Sequence, residues 1–179
     1  MKKFLAAFAG LAVAASAANA AVFNINVTNV LSNDEYGAPL NVVQIVNTAI
    51  ANGHVVSIGW DVTLFADSPS WLSELTVAFE NTAQTSGVFL APGTGDDFPG
   101  TQAYSSGGLL DLIGLGLDFN LDADGQLRLE FFEGFDDFPN DWDGIWMSGT
   151  LSVEVLDVPA PSAFALLGIA GFAAGRRRR

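Results

Sequence analysis

Apolar and polar residues alternate with a period of two along much of the middle of the chain. Phe23, Ile25 and Val27 alternate with asparagine and threonine, so that one face of the segment is apolar. This alternation is typical of a half-buried β-strand. The same reasoning, supported by β-branched and aromatic residues, predicts further strands at residues 55–66, 71–80, 86–91, 109–121, 126–132 and 145–156.

Glycine, proline and aspartate separate these segments. Residues 92–108 are dominated by such turn-forming types and predict a loop. The sequence Asp-Ala-Asp-Gly at 122–125 predicts a hairpin turn. Residues 40–50 have a mixed apolar pattern, and the overlapping stretch 42–51 is the one place where a helix fits. About eight strands joined in this way predict an all-β fold: a single β-sandwich, jelly-roll-like, flanked by two short terminal helices.

The amino terminus has the pattern of a secretory signal peptide. Two lysines precede an apolar stretch at 4–15, and small residues follow it. Ala18 and Ala20 form the A-x-A pattern that signal peptidase recognises, which predicts cleavage before Ala21. We therefore expect a signal helix over residues 1–20 and an acidic domain over residues 21–157.

The carboxy terminus carries a second targeting pattern. A proline-containing motif at 158–162 precedes an apolar run at 163–175, and an arginine tail at 176–179 ends the chain. The run would be a helix of roughly 20 Å at ~1.5 Å per residue, shorter than the ~20 residues that a bilayer requires. Arginines after an apolar segment stay on the cytoplasmic side. The pattern predicts a transient inner-membrane anchor that an enzyme processes.

These carboxy-terminal residues resemble the PEP-CTERM sorting domain of exported Gram-negative proteins. The resemblance covers residues 158–179 only, and Ala160 stands where the family usually has Glu. It implies an exosortase-like processing enzyme as a partner, together with signal peptidase, and delivery to the cell surface or the extracellular space. The processing positions are Ala18, Ala20, Val158, Pro159, Ala160 and Pro161, and the membrane-stop positions are Arg176, Arg177, Arg178 and Arg179.

Charge changes the picture of the middle domain. All 20 acidic residues lie between Asp34 and Asp157, and Arg128 is the only basic residue among them, so the domain has a formal charge of −19. Neutralisation of phosphate needs lysine and arginine, which argues against nucleic acid as a partner. The chain has no cysteine and one histidine, His54, which excludes disulfides, thiolate chemistry and sites with several histidine ligands.

The densest acidic segment, residues 133–143, contains Glu133, Asp136, Asp137, Asp141 and Asp143, and the four aspartates are the candidate calcium ligands. Carboxylates this close repel one another unless water solvates them or a cation bridges them. Ca²⁺ prefers such oxygen ligands. A calcium site and a solvated acidic loop are both open interpretations. The tetrapeptide Asp-Asp-Phe-Pro begins here and also at Asp96, which indicates either paired loops at one end of the sandwich or two independent turns.

Tryptophans offer a second kind of binding chemistry, since an exposed ring can stack on a sugar. Trp142 lies between two aspartates in this polar loop, and we expect it to be the most exposed of the four. No phosphate-binding glycine loop occurs, and His54 has no nucleophile motif near it. We therefore expect a non-enzymatic surface or matrix protein with a structural or adhesive role in biofilm or exopolysaccharide. The alternatives are a calcium- or carbohydrate-binding module and an unrecognised extracellular hydrolase.

Overall fold

The computed structural model describes residues 19–139 and 141–157. The expected carboxy-terminal helix, the arginine tail and the proline motif lie outside this range, as do residues 1–18 of the expected signal helix and all the processing positions except Ala20. Asn19 and Ala20 are extended strand rather than helix. Within the described part of the chain, no helix combines the length and apolar character needed to cross a membrane.

Strands account for nearly all the regular structure of these residues. One short helix, α1, covers Leu112–Leu115. The strands are β1 (Asn19–Asn26), β2 (Val30–Ser32), β3 (Val42–Asn47), β4 (His54–Ala66), β5 (Leu75–Asn81), β6 (Gly87–Leu90), β7 (Gly100–Ser105), β8 (Leu110–Asp111), β9 (Phe119–Asn120), β10 (Gln126–Glu133) and β11 (Gly144–Asp157).

The strands form two antiparallel sheets. The first has the order β1-β11-β4-β7, with β2 beside β11 and with β8 and β9 beside β4. The second has the order β3-β10-β5-β6. Strands β1 and β2 lie along one edge of the first sheet and share one strand position. Strands β7, β8 and β9 share the position at the other edge, so the described residues form eight strand positions in all. Their orders are then 1-8-3-6 and 2-7-4-5, which is the connectivity of a double Greek-key jelly roll. The predicted β-sandwich is confirmed.

The core lies between the two sheets because each strand directs alternate apolar residues inward. In β4 and β11, Ile58 is the register partner of Val153, and both are buried. Phe131 of β10 meets Trp146 of β11 edge to face with ring centroids 5.2 Å apart. This contact joins the second sheet to the first across the core, in the geometry that aromatic pairs favour.

Some elements differ from their sequence predictions. Strand β7 lies inside the predicted loop 92–108; most of it is exposed, so it lacks apolar alternation, and pairing with β4 gives it its conformation. The turn at 122–125 is not a hairpin, because β9 belongs to the first sheet and β10 to the second. Residues 42–47 form β3, so no helix is found there. The predicted strand 109–121 contains only β8, β9 and helix α1.

Loops gather at the two ends of the sandwich. Asn19 and Asp157 are register partners in the β1–β11 pair, so both described ends of the domain lie at one end, here called the terminal pole. Strand β11 has 14 residues and spans about 46 Å at ~3.3 Å per residue. At its far end lie the loops 33–41, 67–74, 91–99 and 134–143, which we call the acidic pole.

Candidate functional site

The acidic pole concentrates negative charge. Its loops contain ten of the 20 acidic residues, Glu133 at the end of β10 adjoins them as an eleventh, and no lysine, arginine or histidine lies in these loops. Mutual repulsion among so many carboxylates makes this the part of the described domain best suited to bind a cation. The eleven residues are Asp34, Glu35, Asp67, Glu74, Asp96, Asp97, Glu133, Asp136, Asp137, Asp141 and Asp143.

A turn at residues 71–74 connects the two Asp-Asp-Phe-Pro segments. The Leu72 amide donates a hydrogen bond to the Phe98 carbonyl at 3.0 Å on one side. On the other side the Gly134 amide donates to the Glu74 carbonyl at 2.9 Å. Both copies of the repeat therefore belong to loops at the same end of the sandwich.

Glu74 stands between these two loops. Burial raises the pKa of its carboxyl group, and the charges of Asp137 and Asp97 raise it further. The Trp71 amide opposes this rise by donating a hydrogen bond to Glu74 Oε2 at 2.7 Å. Glu74 is therefore close enough to Asp97 and Asp137 for the negative charges of both loops to act on it.

Beneath this surface lie two fully buried carboxyl groups. Glu133 is 1% exposed and Asp143 is 0% exposed. Burial raises the pKa of Glu133 to about 9, the nearby Ser32 hydroxyl lowers it in part, and the charge of Asp143 adds to the rise. Burial also raises the pKa of Asp143 to about 6, against hydrogen bonds from the loop above it and with a further contribution from the charge of Asp136.

Main-chain contacts hold Asp143 in this position. Its carboxylate accepts hydrogen bonds from the Phe138 amide at 2.9 Å and from the Asp137 amide at 3.3 Å. Its own amide donates to the Ser32 carbonyl, and its carbonyl accepts from the Asp67 amide. Asp143 thus fastens the acidic loop to two other segments, the end of β2 and the loop 67–74.

Several buried oxygens around this pair have no hydrogen-bond partner. They are both carboxylate oxygens of Glu133, one of Asp136, and the hydroxyls of Ser32 and Ser70. In the described residues only one further buried side-chain polar atom, Nε1 of Trp146, is unpartnered. Ser32 nevertheless lies within hydrogen-bonding reach of Glu133, and Ser70 of Asp143, so these hydroxyls and carboxyl groups can satisfy one another.

The predicted calcium ligands are only partly brought together. Asp136 and Asp137 lie near Asp143, whereas Asp141 is exposed and accepts a hydrogen bond from the Trp142 amide. Glu133, which lies in the acidic segment but is not among the four candidate ligands, belongs to the cluster. Its inward orientation could have been read from the sequence, because it continues the spacing of Leu127, Leu129 and Phe131. Across residues 19–139 and 141–157, no three acidic or histidine side chains are placed to hold a metal ion among themselves.

The prediction that Trp142 is the most exposed tryptophan is wrong. It is half-buried, and its ring lies 6.3 Å from that of Phe65. Trp71 is 44% exposed, Trp60 packs partly against the core and Trp146 is fully buried. Sequence reasoning missed this because a polar neighbourhood does not reveal that a residue distant along the chain, here Phe65 of β4, offers an apolar surface.

The two cationic side chains of the described domain, Arg128 and His54, pair with carboxylates away from the acidic pole. Arg128 pairs with Glu80 and Glu130 on the outer face of the second sheet. His54 Nε2 lies 2.7 Å from Asp118 Oδ2, and no hydroxyl group of the described residues hydrogen-bonds to this histidine. The His54–Asp118 pair therefore lacks the nucleophile that a hydrolytic triad needs.

Comparison with known proteins gives no family. No family model matches the chain, and no curated protein matches it. Among solved structures, the VP2 subviral particle of infectious bursal disease virus is similar with a TM-score of 0.35 and 12% identity, covering 76% of this chain and 32% of that one. A turnip yellow mosaic virus structure gives a TM-score of 0.24 and 11% identity, covering 90% and 94%. The chain thus spans about a third of the VP2 chain.

Proposed function

We propose that this chain is an exported protein, sorted by an exosortase-type system to the cell surface or extracellular matrix. Its β-sandwich would have a structural or adhesive role in biofilm or exopolysaccharide. The signal pattern at 1–20 and the sorting pattern at 158–179 are the basis of the proposal. The role we propose is binding or scaffolding.

The structural observation that supports this proposal is the pairing of Asn19 with Asp157. Both targeting segments connect to the domain at the terminal pole, so removing them leaves the eight strand positions complete apart from the first two residues of β1. A domain attached through this pole presents its acidic pole at the opposite end. This is the arrangement expected of a surface protein that binds with its far end.

Processing can be tested in two hosts that differ only in the exosortase. We expect the wild-type protein to reach the surface fraction in the exosortase-containing host and to remain in the inner membrane in the other. Deleting residues 158–179, or replacing Val158–Pro161 with alanine and glycine, should abolish this difference. Asp141→Asn is the matched control and should be delivered normally. Equal surface delivery of the deletion variant would contradict the sorting proposal.

A second candidate function is binding of a polysaccharide at the acidic pole. The specific observation is that aromatic residues from three adjacent loops are exposed there. Trp71 is 44% exposed, Phe98 is 71% exposed and Phe135 is 59% exposed. Large exposed aromatic surfaces are unusual on a soluble domain and mark binding sites, and aromatic faces suit the apolar faces of sugar rings.

Affinity electrophoresis through gels that contain exopolysaccharide from the host tests this function. Phe98→Ala and Trp71→Ala should each restore most of the mobility of the free protein. Ile113→Ala is the control, since Ile113 is 53% exposed but lies in α1, away from this pole. Retardation that is unchanged in both aromatic variants would exclude the acidic pole as the glycan site.

A further inference from the structure

Three aromatic rings pack together on the outer face of the second sheet. Tyr36 lies in the loop 33–41, Phe89 is in β6 and Phe132 is in β10. The ring centroid of Tyr36 is 5.0 Å from that of Phe89 and 5.4 Å from that of Phe132. Phe132 is buried, whereas Phe89 is 61% exposed and Tyr36 is 40% exposed. Two aromatic rings are thus held in place by a third and remain open to solvent, which marks a binding surface.

A network of paired charges lies beside these rings. The Tyr36 hydroxyl donates a hydrogen bond to Glu80 Oε2 at 2.7 Å, and Arg128 pairs with the other oxygen of Glu80 and with Glu130. With its amide oxygen toward Arg128, Gln84 accepts hydrogen bonds from Nη1 at 2.9 Å and from Nη2 at 3.2 Å. Glu80 is 4% exposed. The network therefore fixes the positions of Tyr36 and Gln84, while its charges largely neutralise one another.

These residues line a groove between the loop 33–41 and the turn that joins β5 to β6. The groove has a volume of about 430 Å³, and its lining includes Tyr36, Phe89, Glu80, Gln84, Thr85 and Ser86. Gly87 also lines it, and a Cβ at Gly87 would lie only 2.7 Å from the Cβ of Glu80, so glycine is required for this close approach. Sites for small ligands occupy about 300–1,000 Å³ and combine apolar walls with a few fixed polar groups. This groove has the same composition.

Charge decides between the possible occupants of the groove. The domain has a formal charge of −19, so a second copy of the chain or an acidic polymer would be repelled. Arg128 is shared between Glu80 and Glu130, so the groove floor offers no unpaired cation to an anionic ligand. An uncharged ligand with an apolar face and many hydroxyl groups fits both the rings and the polar side chains. A sugar ring has this chemistry, because its C–H face can stack on an aromatic ring while its hydroxyls bond to amide and hydroxyl groups.

We propose that this groove binds a neutral polysaccharide, with one sugar ring stacked on Phe89 and its hydroxyls hydrogen-bonded to Gln84, Thr85 and Ser86. The surface differs from the exposed aromatic residues of the acidic pole, Trp71, Phe98 and Phe135. The proposal goes beyond the sorting function, and it depends neither on that function nor on glycan binding at the acidic pole.

Isothermal calorimetry with defined oligosaccharides tests the proposal. The probes are cellohexaose, laminarihexaose, maltohexaose and mannohexaose, with oligogalacturonate as the anionic counterpart. At least one neutral probe should bind the wild-type domain, and oligogalacturonate should bind at least about tenfold more weakly. Phe89→Ala should raise the Kd of the bound probe about tenfold or more, whereas Phe89→Trp keeps an aromatic face and should stay within about threefold of the wild type.

Two further variants separate this groove from the acidic pole and from a folding defect. Phe98→Ala is the matched control, since it removes an exposed phenylalanine of the acidic pole and should leave the Kd unchanged. Gln84→Ala changes an exposed side chain in the turn and should also weaken binding, with a melting temperature close to that of the wild type. The proposal is overturned if no neutral probe binds, if oligogalacturonate binds best, or if Phe89→Ala and Gln84→Ala both retain wild-type affinity. A loss in Phe98→Ala as large as that in Phe89→Ala also overturns it.

Discussion

Arg128 shows how one side chain can support a whole face of the sandwich. Its guanidinium donates to Glu130 Oε2 at 2.6 Å and also pairs with Glu80. Asn41 and the Gly37 amide donate to the other Glu130 oxygen, at 2.8 and 2.6 Å. Burial alone would raise the pKa of Glu130, but these hydrogen bonds and the charge of Arg128 bring it below its ordinary value. Glu130 thus holds the loop 33–41 over the second sheet, together with the Tyr36 hydroxyl, which donates to Glu80 Oε2 at 2.7 Å.

Replacing Arg128 with methionine should therefore destabilise the domain strongly. Glu130 is 1% exposed and would remain buried without its cation, and breaking a buried ion pair in this way costs about 3–5 kcal/mol. Urea denaturation at pH 7 measures the loss. His54→Asn is the control, because the half-exposed His54–Asp118 pair should be worth less than about 1 kcal/mol. Similar losses in both variants would show that Arg128 has no special role.

Because Glu133 is buried, the free energy of unfolding of the domain should depend on pH in an unusual direction. The pKa of Glu133 is raised to about 9 in the folded protein, above the ordinary 4.5, so the folded state holds a proton that the unfolded state releases. The free energy of unfolding should therefore fall as the pH rises from about 5 to 9. The raised pKa of Asp143, about 6, adds to the fall in the lower half of this range.

Guanidinium denaturation in EDTA at several pH values measures this trend. The midpoint for the wild type should be lower at pH 8.5 than at pH 5.5. Glu133→Gln cannot ionise, so its midpoint should change much less above pH 6.5. A wild-type midpoint that is constant or rises across this range would show that Glu133 is not buried as described.

Among the elements, strand β11 contains a bulge whose backbone conformation depends on one glycine. The register of its pairing with β4 shifts between Trp146 and Ser148, just before Gly149. Gly149 has φ +126°, which other residues rarely adopt, and a Cβ there would clash with the Asp61 carbonyl oxygen. The bulge lets both halves of β11 keep their apolar residues inward.

Gly149→Ala should cost more than about 2 kcal/mol, because it combines backbone strain with a main-chain clash. Gly95→Ala is the matched control, since Gly95 has φ +87° and a Cβ added there would meet no atom within 4 Å. The control should show only the backbone strain, about 1 kcal/mol. Thermal denaturation of both variants measures the difference, and equal losses would contradict a steric role for Gly149.

The sequence predicted elements well where one face is buried and poorly where neighbours decide the structure. Strands β4, β5, β10 and β11 show apolar alternation, and their predicted positions agree with the structure within a few residues. Strand β7 carries little apolar alternation, since it is an edge strand held by backbone pairing with β4. The crossing of residues 122–125 between sheets was also invisible, because turn residues do not reveal which sheet the next strand joins.

The sequence predicted where the candidate site lies, but not all of the residues that form it. The density of aspartates pointed to the loop that closes the acidic pole, where Asp136 of the four predicted ligands lies near Asp143 and Asp141 is exposed. Ser32 and Ser70 come from distant parts of the chain, and only the fold brings them to Glu133 and Asp143. Long-range assembly of this kind leaves no local pattern.

At the scale of the whole molecule, the proposed function gives the two poles different tasks. Residues 19 and 157, where the proposed targeting segments join the domain, lie at the terminal pole, and the acidic pole lies about 46 Å away along β11 at ~3.3 Å per residue. Because the chain has no cysteine, single cysteines can report on each pole. Ala83 and Phe98 are both exposed and lie at the terminal and acidic poles respectively.

A fluorophore on Ala83→Cys should be quenched by lipid-headgroup quenchers more strongly than one on Phe98→Cys while the tail is unprocessed. The expectation follows from attachment through Asp157, and it requires cells that lack the exosortase. Labels on the wild-type chain, which has no thiol, give the background. Stronger quenching at Phe98 would contradict presentation of the acidic pole away from the membrane.

The most direct test of the account is the intact mass of the protein recovered from the surface of an exosortase-containing host. We predict a chain that begins at Ala21 and has lost the apolar run and all four terminal arginines. The protein from the exosortase-lacking host should begin at Ala21 but keep the whole tail through Arg179. A surface protein that keeps residues 163–179, or identical masses from the two hosts, would contradict the proposal that this chain is sorted by its carboxy terminus.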